Sequence, residues 1–411
     1  MAASPPPASG GYREILRNRN WLLWQTSYTA TYVGYAVYAI AIPWFAYRFS
    51  SNFLIVGLVL FVEVGIYTLT FLVAPLVDRA RDKRTIYLVC YPAQAVAAVA
   101  LGLAIAAGSV SLFLLFGLIA FISFLWDFTW AANNVAPRLL LGVDQLFRAS
   151  GLGTTLEGGT QLVGYAVGAF LIVVYGPGAD MLLYAALLAA ATAVVIPLSI
   201  PSPQMPPGGY LDDFREGWKY FVGSAGRALR WLASMELVRG FFSVAPSVLI
   251  IVAATRLFVG GASAYGVLTV AWIVGGVAIA IVLGEWNPRH RIGSVLIASA
   301  LTSGLLVALA VLPTWGLYGD AFVWALLGAS EMAYTIAFYV YLRGAYPSVT
   351  IGRITSNLYL FNGTTSSVGV AIFGALADAW SLTSLGVLTA IGFFVLGAFL
   401  VSSPETRRLM F

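Results

Sequence analysis

Charge is scarce in this chain. Only 9% of its 411 residues are Asp, Glu, Lys or Arg, against about 25% in an ordinary soluble protein, which excludes a water-soluble globular fold. Cysteine is almost absent: Cys90 stands alone, so no disulfide can form within one chain. Histidine is as rare, and His290 by itself gives no Cys/His cluster to hold a metal. No cofactor is expected. The hydroxyl residues are scattered and form no catalytic constellation, so an integral membrane enzyme acting on lipids is disfavoured and no enzyme is expected. The formal net charge of +5 is not a nucleic-acid footprint, because the basic residues flank apolar runs, as topology determinants do. A cleavable secretion signal does not fit either. After a Pro/Ala/Ser/Gly tail (Ala2 to Gly11) and Arg13, Arg17 and Arg19, the first apolar run is too long and lacks a small-residue cleavage site.

What is present is hydrophobic length. Hydrophobic residues make up 60% of the chain. They fall into roughly twelve runs of about 20 residues, each long enough to cross a bilayer as a helix. The expected spans are 22–47, 53–76, 85–107, 111–135, 151–175 and 181–200, then 234–254, 264–284, 292–312, 320–343, 355–377 and 382–402. A merged or missed helix would leave ten or eleven. Lys and Arg collect in every second gap, from Arg79, Arg81, Lys83 and Arg84 after span two to Arg407 and Arg408 at the end, while the opposite face receives only Arg48 and Arg256. That asymmetry places both termini in the cytoplasm.

The segments divide accordingly. Residues 1–20 form a cytoplasmic tail, 21–200 a first six-helix bundle, 201–233 a cytoplasmic linker, 234–402 a second bundle and 403–411 a tail. The linker opens with Pro201, Pro203, Pro206 and Pro207. Leu211, Phe214, Trp218 and Phe221 then recur at helical spacing, which predicts an amphipathic helix on the membrane surface.

The halves echo each other at an offset of about 209: Arg48 with Arg256, Gly57 with Gly266, Pro137 with Pro347 and Arg148 with Arg353. Similar topology alone could produce similar loops. A true duplication would be a parallel repeat, which places a substrate site at mid-membrane between the halves.

Span two ends in Ala74-Pro75-Leu76-Val77-Asp78-Arg79-Ala80-Arg81-Asp82-Lys83-Arg84. This resembles the loop 2–3 signature of the major facilitator superfamily, matching at Asp78, Arg79, Lys83 and Arg84, with Ala74 and Arg81 at the two glycine positions. Asn18-Arg19-Asn20-Trp21, the stretch from Pro137 to Arg148-Ala149-Ser150, Phe214-Arg215-Glu216-Gly217-Trp218 and Gly352-Arg353 are similar to the bacterial macrolide and siderophore efflux branch. The resemblance implies an all-α integral membrane fold of twelve transmembrane helices, in two six-helix bundles related by pseudo-twofold symmetry. It also implies a latch in which Asp78 meets the N-terminal end of helix eleven near Thr355 and Ser356, with Arg79 to Arg84 pairing across the halves. Helices one, four, seven and ten would line a cavity, and three, six, nine and twelve would face lipid. The chain departs at two points: Tyr165 stands where the antiporter signature of span five carries proline, and span four lacks the arginine of many drug/proton antiporters. Direction and coupling ion stay open.

A few carboxylates lie inside the runs: Glu63, Asp127, Glu157, Glu236 and Glu331. A charge facing lipid costs about 2.5–3.5 kcal/mol, so these positions mark water, a partner or a proton path. Glu331 and Glu63, near mid-span, are candidates for proton or substrate binding. Asp127 sits beside Trp126 and Trp130, and Glu157 beside Gly158 and Gly159. Glu236 has Arg239 three residues on, a spacing that suits a local ion pair. Gln25, Tyr28, Tyr32 and Tyr35 share one face of span one, Tyr334 and Phe338 continue the face of Glu331, and Asn357 and Asn362 add polar groups on span eleven. These side chains are candidate cavity lining, with helix packing and interfacial belts as the alternative. The glycines of span five point to close helix contact.

The leading expectation is a proton-coupled exporter of amphipathic small molecules working by alternating access. The alternative is an importer or facilitator of a small polar nutrient or organic acid. Expected partners are a small-molecule substrate, protons or Na⁺, and the lipid bilayer, with no nucleic acid. The expected form is a monomer in the cytoplasmic membrane of a prokaryote.

Overall fold

The computed structural model describes residues 12–201, 226–286, 291–312, 315–345, 348–403 and 406, and those residues form helices and no strand. Span one is Arg19–Ser50. Span two is two pieces, Phe53–Tyr67 and Thr70–Arg79. Spans three to six are Lys83–Ala106, Leu112–Leu140, Val143–Val174 and Pro177–Val195. Span seven is again two pieces, Gly226–Ser243 and Ala245–Leu257. Spans eight to twelve are Gly261–Trp286, Ile292–Ala310, Gly316–Ala345, Ser348–Ala379 and Leu382–Ser402.

Short polar residues start five of these helices. The side chain of Asn18 accepts from the Trp21 amide, Asn52 from Leu54, Asp82 from Arg84, Ser111 from Leu114 and Ser381 from Ser384. Each satisfies a donor that the first turn leaves free. Ten helices among the described residues are long and apolar enough to cross a membrane, and the two pieces of span two, bent by 44°, qualify together as an eleventh. Span one has the length, but its tyrosines and hydroxyl residues lower its hydropathy. The chain is a multi-pass membrane protein.

Several boundaries depart from the expected ones. Span two is interrupted at Thr68 and Leu69, where the hydroxyls of Thr68 and Thr70 bond back to the carbonyls of Gly65 and Tyr67. Such bonds compete with the helix ladder. Span seven is interrupted at Val244, two residues before Pro246. Span five starts at Val143 and span eleven at Ser348, each well ahead of its apolar run. Span six starts at Pro177, after Gly176 turns the chain with φ +80°, and so it takes in Asp180, which is fully buried. Two of the helices expected to face lipid therefore carry charged residues: Asp180 belongs to span six, and Lys83 and Arg84 open span three. The amphipathic linker helix falls mainly on residues 202–225, outside the described residues. The side chains of Arg148 and Arg353 also lie outside the description.

The contacts repeat between the halves. Span one packs on five and six as seven packs on eleven and twelve, and two packs on four as eight packs on ten. Across the halves, span two meets eleven and span eight meets five, which is one contact seen twice under a twofold rotation. The glycine pair noted in the sequence sits in it. A Cβ on Gly57 would lie 2.6 Å from the Val370 carbonyl and 3.0 Å from the Gly374 Cα, and one on Gly266 would lie 2.7 Å from the Ala169 Cβ. Only glycine permits helix backbones to approach this closely.

Candidate functional site

Two cavities lie within the bundle, one in each half. The first, about 250 Å³, is lined by spans one, two, four and six: Tyr32, Tyr35 and Tyr38; Glu63 and Tyr67; Ser123, Trp126, Asp127 and Trp130; and Tyr184. Helical spacing brings these together. Tyr32, Tyr35 and Tyr38 recur every third residue of span one, and Trp126 and Trp130 are one turn apart around Asp127. The rings brace one another: Tyr35 stacks on Trp126 at 4.4 Å between centroids, and Tyr67 meets Trp130 edge-on at 5.4 Å. Glu63 accepts from the Tyr35 hydroxyl at 3.1 Å, and Asp127 Oδ1 accepts from Thr70 at 3.1 Å. Asp127 Oδ2 is buried and has no hydrogen-bond partner among the described residues.

The second cavity, about 280 Å³, is lined chiefly by spans seven to ten and twelve, with Gln161 of span five reaching in. Its polar groups are Arg239, Ser243, Ser303, Glu331, Tyr334 and Thr335, beside the indole of Trp272. Arg239 is the hub. It donates to Glu236 at 3.2 Å and to the Thr335 hydroxyl at 3.0 Å, and its guanidinium lies 5.0 Å over the Tyr334 ring. Asn362 of span eleven donates to the same Glu236 oxygen at 2.9 Å. The Glu236–Arg239 ion pair expected from the i, i+3 spacing is present, and it is part of a network joining spans seven, ten and eleven. The Glu331 carboxylate lies within hydrogen-bonding reach of the Trp272 indole, while its buried Oε1 and the Trp272 N–H make no hydrogen bond of good geometry among the described residues. A water or ligand polar group in this cavity would satisfy them.

The candidate residues separate into groups. Tyr32, Tyr35, Glu63 and Asp127 share the first cavity, and Glu331 and Tyr334 share the second. Glu63 and Glu331 thus line different cavities, because the rotation of each helix about its axis, invisible in linear order, turns its acid toward its own half. Gln25 and Tyr28 lie elsewhere along span one, and Glu157 lies on span five. Tyr28 stacks on Trp24 at 5.4 Å and lies within hydrogen-bonding reach of Glu157, and Gln25 bonds to Thr29 at 3.5 Å. Phe338 is buried in the hydrophobic cluster around Leu229, Trp231 and Leu342 and lines neither cavity. Asn357 is buried with its Nδ2 unpartnered among the described residues, and it lines neither cavity. The sequence reading missed Arg239 as a cavity residue, along with Trp272, Tyr67 and Gln161. Their signal was weak, since each falls among apolar neighbours with no motif.

Two residues of the expected latch, Lys83 and Arg84, are engaged within their own half. Lys83 is buried and donates to the carbonyls of Val77, Asp78 and Ala80, so it caps the end of its own span two. Arg84 donates to the Ile196 carbonyl in the same half. Neither of these bonds crosses to the other bundle. Helix eleven begins at Ser348, so the Thr355 and Ser356 amides lie past its first turn. Only the first four N–H groups of a helix are free, and an anchor for Asp78 there would have to be a side chain. At the other end of span two the halves do join. Asp378 of span eleven accepts from the Phe53 and Leu54 amides at 2.8 and 2.9 Å. Arg256, 5.1 Å over the Phe53 ring, donates to the carbonyls of Ala377 and Trp380.

No protein family and no curated protein matches the sequence. Solved structures do match. A crystal structure of the nucleoside transporter NupG superposes with a TM-score of 0.71 at 14% identity, covering 93% of this chain and 99% of that one. A POT family transporter in complex with 5-aminolevulinic acid superposes with a TM-score of 0.72 at 12% identity, covering 93% and 96%. The same family in complex with a thioalcohol conjugated peptide gives 0.71 at 12%. The architecture is the twelve-helix major facilitator fold.

Proposed function

We propose that this chain is a secondary active transporter, a proton-coupled exporter of amphipathic small molecules that works by alternating access. One observation carries the reading: Glu63, Asp127 and Glu331 line cavities inside the bundle and do not face acyl chains. Burial disfavours the charged form of a carboxylate, which lets such a group take a proton on one side and release it on the other. Each charge falling through 100 mV gains about 2.3 kcal/mol, enough to shift a rocking equilibrium more than tenfold. In this scheme Glu331 is the first choice for the coupling site, and Asp78 and Arg79 stabilise the closed cytoplasmic side. Residues 21–200 and 234–402 rock against each other as monomeric bundles in a prokaryotic inner membrane, with both termini inside. No catalytic step is involved.

Import or facilitated entry of a small polar nutrient is the second reading. It is favoured by the cargoes named for structures of the same fold, a nucleoside transporter and a transporter holding 5-aminolevulinic acid. Proteoliposomes with an imposed pH gradient separate the two. Gradient-driven accumulation of lipophilic dyes is the expected result. Movement of polar solutes down their own gradient, unaffected by pH, would replace export with facilitation.

A further inference from the structure

The two cavities differ in charge. In the C-terminal cavity a cation is already present and matched: Arg239 is bonded to Glu236 and Thr335 and stands over Tyr334. In the N-terminal cavity two carboxylates, Glu63 and Asp127, appear with no Lys, Arg or His among the described lining residues. The nearest balancing groups are single hydroxyls, Tyr35 on Glu63 and Thr70 on Asp127. Asp127 is 0% exposed, and its second oxygen has no partner among the described residues. An acidic, partly dehydrated space of about 250 Å³ with no countercharge among its described lining residues favours a cation, which stabilises the ionised carboxylates, over an anion.

The walls narrow the choice. Hard metal cations bind through shells of six or more oxygens. Here most of the surface is aromatic: Tyr32, Tyr35, Tyr67, Trp126 and Trp130 surround the two acids. Ring faces hold an alkylated ammonium through their quadrupole, the arrangement that recognises quaternary ammonium groups elsewhere. The rings are also braced by mutual stacking, so little ordering is needed on binding.

We propose that the N-terminal cavity is a binding site for a small organic cation, an alkylated ammonium seated between Glu63 and Asp127 and caged by the tyrosine and tryptophan rings. This deepens the transporter reading and rests on it for its role in transport, though not for binding itself. A cargo with one charged and one apolar end would place its ammonium here and its remainder toward the span eleven side, where Tyr359 meets Tyr67 and Trp130 edge-on at 6.1 and 5.9 Å.

The test is calorimetric titration of the full chain in nanodiscs with choline and with neutral dimethylbutanol, its carbon isostere. Choline should bind roughly tenfold or more tightly than the isostere. Glu63→Gln combined with Asp127→Asn should remove that difference, and Trp126→Leu should weaken choline alone. Equal binding of the two probes by the unaltered protein would overturn the proposal without reliance on any variant. So would undiminished choline preference in the double variant. Choline selectivity without proton-driven transport would sink the transporter reading and leave this one standing. Proton-driven transport without cation selectivity would do the reverse.

Discussion

The carboxylate of Asp378 accepts a hydrogen bond from the backbone amide of Phe53 at 2.8 Å. Phe53 opens span two and Asp378 closes span eleven, so this bond joins the two halves at one membrane face. Beside it, Gly57 and Gly374 let the same two helices touch backbone to backbone.

Removing that acceptor should loosen this face. Asp378→Ala leaves the Phe53 amide without its cap, at a cost of about 1 kcal/mol, typical of a lost N-terminal cap. Hydrogen exchange at residues 53–57 should quicken several-fold, with Asp378→Asn intermediate. Unchanged exchange would show that the contact does not hold the face closed.

Closure itself is tested by bulk. In Gly57→Val the added atoms meet the Val370 carbonyl, which is 2.6 Å from a built Cβ. Overpacking of this kind costs about 1–3 kcal/mol, charged here only to the state in which spans two and eleven touch. Transport should fall to under about a tenth while the purified protein stays folded by circular dichroism. Normal transport would mean the backbones need not meet.

Glu331→Gln keeps the size and hydrogen-bonding shape of the side chain and removes its proton exchange. Gradient-driven transport in proteoliposomes should drop by about a hundredfold or more, the scale of one lost proton-transfer group. Binding measured by thermal shift should survive. Full transport would take Glu331 out of the coupling path.

Arg239→Ala should destabilise the fold. It leaves Glu236, 3% exposed, without its ion-pair partner. Breaking such a pair costs about 3–5 kcal/mol, and the partial exposure of Arg239 favours the lower figure. Adding Glu236→Gln should restore much of the melting temperature. A double variant no more stable than the single one would mean that packing, and not unpaired charge, explains the loss.

Much of the architecture was legible in the sequence. Twelve spans follow from apolar run length, the duplication from pairs such as Gly57 and Gly266, and the Glu236–Arg239 pair from helical spacing. Helix ends were less legible, because Val143 and Ser348 begin polar turns that hydropathy assigns to loops. The break at Thr68 and Leu69 was hidden because the surrounding residues stay apolar. Asp180 was lost at a boundary set four residues too late. The division of Glu63 and Glu331 between two cavities depends on how each helix is turned about its axis, which spacing within one helix cannot give.

The interruption of span two has a mechanical meaning. The upper rod, Phe53–Tyr67, carries Glu63 and the bond to Asp378, and the lower rod, Thr70–Arg79, carries Asp78. The two rods meet at 44°, so the acid beside the ligand cavity and the acid at the far membrane face sit on separate straight segments and not on one lever.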